Sequence, residues 1–308
     1  MNKREQVISK VYSLPALPAA AVNLAQVLRD PEADINEITK TIEMDPPLTS
    51  NILRLANSSY YGSQKTVSRI KDAVLLVGTN SIFQMVFGSA LSPFLQRPIK
   101  GYDLEPNDMW KHSLYVAELT VRLAIVGDID LPDFTFTAGL LHDLGKIVLS
   151  TFVDVDVDEI RSLSDKEHTT FESAEREILG IDHAETGALL LEIWNLPPCL
   201  SQVVRWHHRP EEAEEPSTAL DLVHVADALS LMGGIGTGRD GLNYRLSEGS
   251  VSRLKLNDRI VDKVICHVLD GLEERANRSS PVMESSANEA ESAGGRVVSQ
   301  DDEHPTSG

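Results

Sequence analysis

A histidine and an aspartate stand side by side, His142-Asp143, inside the apolar run TAGLLHDLGKIVLS from Thr137 to Ser150. Burying an imidazole beside a carboxylate costs on the order of several kcal/mol unless something pairs with them. A divalent cation satisfies both at once. A chain with this run therefore has reason to bring further ligands to it. Candidates occur on both sides: His112 upstream, then His183, the His207-His208 pair and Asp227 downstream.

Helix geometry makes these candidates coherent. Residues three, four, seven or eleven apart share one helical face. His112 falls on a stripe with Val116, Leu119 and Leu123, and His183 on one with Gly187, Leu190 and Trp194. His207 follows Leu200 and Val203, and Asp227 follows Leu220 and Val223. Each polar group points where its own helix points its apolar side chains. A single histidine so placed reads as a hydrogen-bonded core residue, but five helices doing the same, one with an adjacent His-Asp pair, are explained more simply by a shared metal centre.

Composition narrows the class. With 308 residues and 42% hydrophobic side chains the chain can bury a substantial core. Only 5% are aromatic, which leaves Leu, Val, Ile and Ala to fill it and favours an all-α fold. A net charge of -19 argues against a general nucleic-acid binder, which presents a basic surface to phosphates. Cys199 and Cys266 have no Cys-x-x-Cys partner, so neither a disulfide framework nor a thiolate metal site is indicated. Neither an apolar leader nor a stretch of about 18 apolar residues is present, and the expectation is a soluble, cytoplasmic protein without membrane contact.

Taken in order, residues 14–100 read as short helices without a titratable cluster. Asp34 caps a helix to Met44, Pro46-Pro47 open the next, and the string from Asn57 to Gly62 ends it. Helices from Ile70 to Val77, stopped by Gly78, and from Asn80 to Gln96 follow. The strings LPALP at Leu14–Pro18, MDPPLTSNILRLANSSYYG at Met44–Gly62 and IKDAVLLVG at Ile70–Gly78 resemble HDOD domains, the HD-related output domains of bacterial signalling proteins. The resemblance covers residues 10–232. It implies two helical lobes, an N-terminal one over 10–100 and an HD-phosphohydrolase-like one over 101–232, and a role in signal transduction. A C-terminal loop and helix over 233–276, with helix from Leu254 to Arg275, are expected to pack on the second lobe, and the Ser-, Glu- and Asp-rich residues 277–308 to be disordered.

HDLGK at His142–Lys146 resembles the HD-x-G-K signature of HD and HD-GYP hydrolases, and the single and paired histidines match the HD-GYP pattern. The resemblance makes His112, His142, Asp143, His183, His207, His208 and Asp227 the ligand set, with Asp108 as either an extra ligand or a helix cap. The Gly-Tyr-Pro string of HD-GYP enzymes is absent, Arg209-Pro210-Glu211-Glu212-Ala213 standing in its place. Lys146 offers an ammonium to a metal-bound phosphate, or serves as a positive charge at a helix C-terminus. Arg205 and Arg209 are the other phosphate-binding candidates. His224 is either a partner of Asp227 or a core histidine. His168 faces solvent, Val153–Asp158 forms an acidic surface loop, and the G-x-G-x-x-G of Gly236–Gly241 is a loop rather than a dinucleotide fingerprint.

Imidazole and carboxylate without thiolate suit Fe, Mn or Zn, and seven ligands exceed the needs of one ion, so two ions are expected and no nicotinamide or flavin. The leading expectation is a regulatory HDOD protein acting on a signalling partner in trans through its N-terminal lobe. The alternatives are a metal-dependent phosphohydrolase acting on a nucleotide or cyclic dinucleotide, with Asp143 and Lys146 catalytic, and a di-iron oxygenase.

Overall fold

The computed structural model describes residues 2–17, 19–27, 34–58, 66–95, 98–235 and 243–266, and Met1–Val264 form one compact unit. Regular structure among the described residues is helical; the one β feature is an isolated bridge between Ile99 and Leu104. No described helix is long and apolar enough to cross a membrane.

Helices α2 (Ala19–Val27), α3 (Ile35–Glu43), α4 (Pro46–Ala56), α5 (Ile70–Val77) and α6 (Thr79–Leu95) pack on one another. Their boundaries follow local chemistry. Asp34 and Asp45 accept backbone N–H groups at the starts of α3 and α4, prolines occupy the first turn of α4, and Gly78 with φ 82° stops α5. Ile38, Ile42, Leu48, Ile52, Ala73 and Val74 bury the facing stripes, each large side chain contributing about 1.5–3 kcal/mol of transfer free energy. The string after Asn57 leaves the described residues at position 59.

The remaining helices build the site: α7 (Asp108–Gly127), α8 (Thr135–Leu141), α9 (Gly145–Glu167), α10 (Phe171–Leu179), α11 (His183–Ile193), α12 (Pro198–Trp206), α13 (Thr218–Met232) and α14 (Glu248–Arg253). The N-terminal helix α1 (Lys3–Tyr12) joins this group rather than the preceding one, packing on α9 and α11. Arg4 donates to Glu185 and to the Gly180 carbonyl, and Trp194 Nε1 donates to the Pro15 carbonyl at 3.1 Å.

Three local expectations are corrected. The His142 helix does not run on to Lys146: α8 ends at Leu141 and α9 begins at Gly145, so Lys146 lies in a first turn and not at a C-terminus. The Val153–Asp158 stretch is part of the 23-residue α9, not a loop; it has no Gly or Pro to break a helix, and Asp156 pairs with Lys3 of α1 at 3.0 Å. The helix expected over Leu254–Arg275 starts late: α14 ends at Arg253, Lys255 takes φ 53°, and helix begins at 258 and is described to 266. Residues 236–242 and 267–308, including the Gly-rich string and the acidic tail, lie outside the described residues.

Candidate metal centre

Three helices and the turns after α8 and α12 carry seven polar side chains to one buried spot. His112 is on α7, His142 and Asp143 follow α8, His183 opens α11, His207 and His208 follow α12, and Asp227 is on α13. None of these side chains is more than 5% exposed. His112, His142 and Asp227 offer ligand atoms lying within 4.8 Å of one another, and so do Asp143, His183, His207 and His208. Asp143 reaches both groups. Its Oδ2 is 3.5 Å from His142 Nε2 and 3.6 Å from His112 Nε2, while Oδ1 is 3.5 Å from His183 Nε2.

The hydrogen bonds on the outer nitrogens orient the rings. His142 Nδ1 donates to the Gly139 carbonyl at 2.7 Å, His207 Nδ1 to Val204 at 2.7 Å, and His112 Nδ1 to Ile235 at 3.0 Å. His183 Nδ1 donates to Glu175 Oε2 at 2.8 Å. An imidazole that donates from Nδ1 as the neutral tautomer keeps an unprotonated Nε2. Those of His142 and His207, with Asp143 Oδ1, are buried without a protein hydrogen-bond partner, and that of His112 lies 3.1 Å from Asp227 Oδ1. Inward lone pairs beside two carboxylates call for a cation. This is the arrangement in which metal-ligating histidines are held by outer carbonyls and carboxylates.

Electrostatics agree. Burial depresses the His183, His207 and His208 imidazoles, aided respectively by Lys146, His142 and His207; His207 falls to about 4. These rings are therefore neutral near pH 7, the state of charge that metal ligation requires of an imidazole. Burial would raise Asp143 and Asp227, but Lys146 and the histidines hold Asp143, and His112 and His142 hold Asp227, well below the usual carboxylate range. For His142, burial is outweighed by Asp143 and Asp227, which raise it.

The other named residues sort differently. Asp108 is in neither ligand group and pairs with Lys111 at 3.0 Å on the first turn of α7, where Asn107 precedes it as the cap. Lys146 Nζ lies 2.9 Å from Asp143 Oδ2 and 5.5 Å from the Tyr102 ring centre, its side chain 2% exposed. Arg205 pairs with Glu192 and Glu185; Arg209 pairs with Glu172, Asp182 and Glu212. His224 is not a partner of Asp227 in these contacts: its Nδ1 donates to the His207 carbonyl at 2.7 Å and its Nε2 accepts from Ser247 N–H at 2.9 Å. His168 is exposed, as expected.

Sequence reasoning missed Glu175 and Tyr102. Glu175, fully buried, accepts from the His183 backbone N–H at 2.9 Å as well as from Nδ1, and Tyr102 donates its hydroxyl to the other oxygen at 2.5 Å. A glutamate on the apolar stripe of α10 was the available signal, since such a residue needs a partner. Because Glu175 sets the His183 tautomer, Glu175→Gln should weaken metal binding by about 10- to 100-fold. Zinc competition against a chromophoric chelator reads this, and an unchanged affinity would remove Glu175 from the centre.

Fold and site together define an all-helical protein with a His/Asp cluster of metal-ligand type. Residues 14–210, more than half of the chain, match the HDOD domain, and the chain belongs to that family. It is similar to an HDOD domain protein of unknown function from Geobacter sulfurreducens, 26% identical with a TM-score of 0.61 over 87% of this chain and 90% of that one. A proposed phosphohydrolase from Shewanella amazonensis SB2B is 26% identical, with a TM-score of 0.54 over 84% of this chain and 96% of that one. An uncharacterized protein of Treponema pallidum (strain Nichols) is 24% identical over 223 residues, which span 72% of this chain but 43% of that protein.

Proposed function

We propose that this chain is a regulatory HDOD protein whose HD-like lobe is organised by two transition-metal ions and reports its state to a signalling partner through α2–α6. The observation that carries the metal reading is the convergence of the inward-facing Nε2 atoms of His112, His142 and His207, each ring held by a carbonyl at Nδ1, beside Asp143 and Asp227. His112, His142 and Asp227 would hold one ion and His183, His207 and His208 the other, with Asp143 shared; Fe, Mn or Zn suits these donors. Such ions, when bound, supply Lewis acidity and acidify a bound water. They also stabilise whatever conformation gathers their ligands.

Regulation is favoured over hydrolysis by the state of the three cations that would meet a phosphate. Lys146 is neutralised by Asp143, Arg205 by Glu192 and Glu185, and Arg209 by three carboxylates. A dianionic phosphoester would have to compete with carboxylates already in place, most of them partly or fully buried. On the partner side, α3 and α5 pack together and leave Met44 74% and Leu75 67% exposed. A charge at Leu75 should block signalling to the partner while leaving metal content unchanged; loss of metal instead would tie that surface to the centre itself.

Hydrolysis is the second reading, supported by the complete donor set and the similarity to the Shewanella protein. Metal-loaded protein tested against cyclic dinucleotides and simple phosphoesters is expected to show no turnover above the metal-free protein. Turnover that vanishes in His142→Ala would replace the regulatory reading with the enzymatic one.

A further inference from the structure

The family match ends at residue 210, yet a later segment is fastened directly to the ligands. Tyr244, 7% exposed, lays its ring against His208, centroids 4.7 Å apart and planes 31° apart. Ser247 donates its backbone N–H to His224 Nε2, and the opposite nitrogen of that ring donates to the His207 carbonyl. That carbonyl belongs to the peptide joining His207 to His208. One histidine thus links the segment to the backbone between two ligands.

The segment is anchored independently of the centre. Arg253 makes a two-pronged contact with Asp221, Nε to Oδ2 at 2.7 Å and Nη2 to Oδ1 at 2.6 Å. Ser250 Oγ adds a third bond to Asp221 at 2.6 Å, Ser247 Oγ reaches Glu211, and Asn243 Nδ2 donates to the Thr169 carbonyl at 3.0 Å. Asp221 is 1% exposed, and these partners satisfy its buried oxygens. The contacts form a strap with one end on α13 and its middle on the ligands.

We propose that residues 243–253 are a positioning strap for the His183, His207 and His208 side of the centre, acting through Tyr244 and through the Ser247–His224–His207 chain, so that metal affinity there follows the strap's attachment. This rests on the metal reading above. The physical reason is rotational: each imidazole can swing about its side-chain torsions, and a ligand held by an outer contact loses less freedom on coordination.

The test uses the full chain loaded with cobalt(II), read by visible absorption and by competition with a chelator, alongside thermal unfolding. Ser247→Pro removes the donated N–H, and its φ of -66° is one that proline adopts; Ser247→Ala loses the same hydroxyl but keeps the N–H. Tyr244→Ala removes the ring and Tyr244→Phe keeps it. The expected result is that Ser247→Pro and Tyr244→Ala weaken one of two cobalt ions by about 10- to 100-fold and alter the absorption band, with Ser247→Ala and Tyr244→Phe restoring both. If one pair does not fold, the other decides. Wild-type affinity and spectrum in Ser247→Pro and Tyr244→Ala overturn the strap alone, whereas a wild-type chain that takes up no cobalt overturns the metal reading and the strap with it.

Discussion

An Asp143→Asn chain is expected to emerge from purification with neither metal ion, where the wild-type chain carries about two equivalents. Asp143 has one oxygen toward His112 and His142 and the other toward His183, so one substitution removes an anionic donor from both groups. His112→Ala and His207→Ala each lie in one group and should each lose about one ion. The substitution also leaves the Lys146 ammonium without its carboxylate, and breaking a buried pair in this way costs about 3–5 kcal/mol. Lys146→Met in the same chain removes that charge and separates metal loss from destabilisation. Elemental mass spectrometry on untagged protein gives the numbers. Retention of one ion by the double variant would show that Asp143 serves a single site.

Gly145→Ala should be the most damaging single methyl group in this lobe. A Cβ there would lie 1.8 Å from the His183 carbonyl oxygen and 2.6 Å from the Gly187 backbone nitrogen, so backbone and not a movable side chain must give way. The start of α9 and the first turns of α11 touch main chain to main chain. That approach sets Asp143, two residues before Gly145, against His183. Overpacking commonly costs about 1–3 kcal/mol, and a backbone clash belongs at or above the top of that range. A loss of about 3 kcal/mol corresponds to roughly 6–12 °C in Tm for a domain of this size. The same variant should lose the Asp143-shared centre. Unchanged Tm and metal content would mean that α9 and α11 do not approach this closely.

The ligand list was legible in the chain because helical periodicity states which face of a helix is buried, and an imidazole or carboxylate on that face must find a partner. His112, His183, His207 and Asp227 announce themselves in this way, His142 and Asp143 by the apolar run around them and His208 by its pairing with His207, and the structure brings these side chains within reach of one another in two groups. The all-helical fold, the Asp34 cap, the Pro46-Pro47 start and the Gly78 stop were equally readable, since each depends on residues one to four positions apart.

What periodicity does not encode is which helix meets which. Glu175 reaches His183 and Tyr102 lies 73 positions before its glutamate; Arg205 and Arg209 look like phosphate ligands in the chain and are spent on acidic residues in space. The break between α8 and α9 has the same origin. HDLGK contains no strong stop signal apart from one glycine, and its helices part where Gly145 must clear the backbone of α11. Local sequence sets the faces, caps and donor types, because those energies act within a turn or two. Partner choice, ring orientation and the sharing of Asp143 between two groups follow from helix packing, which sums contacts between residues tens to over a hundred positions apart.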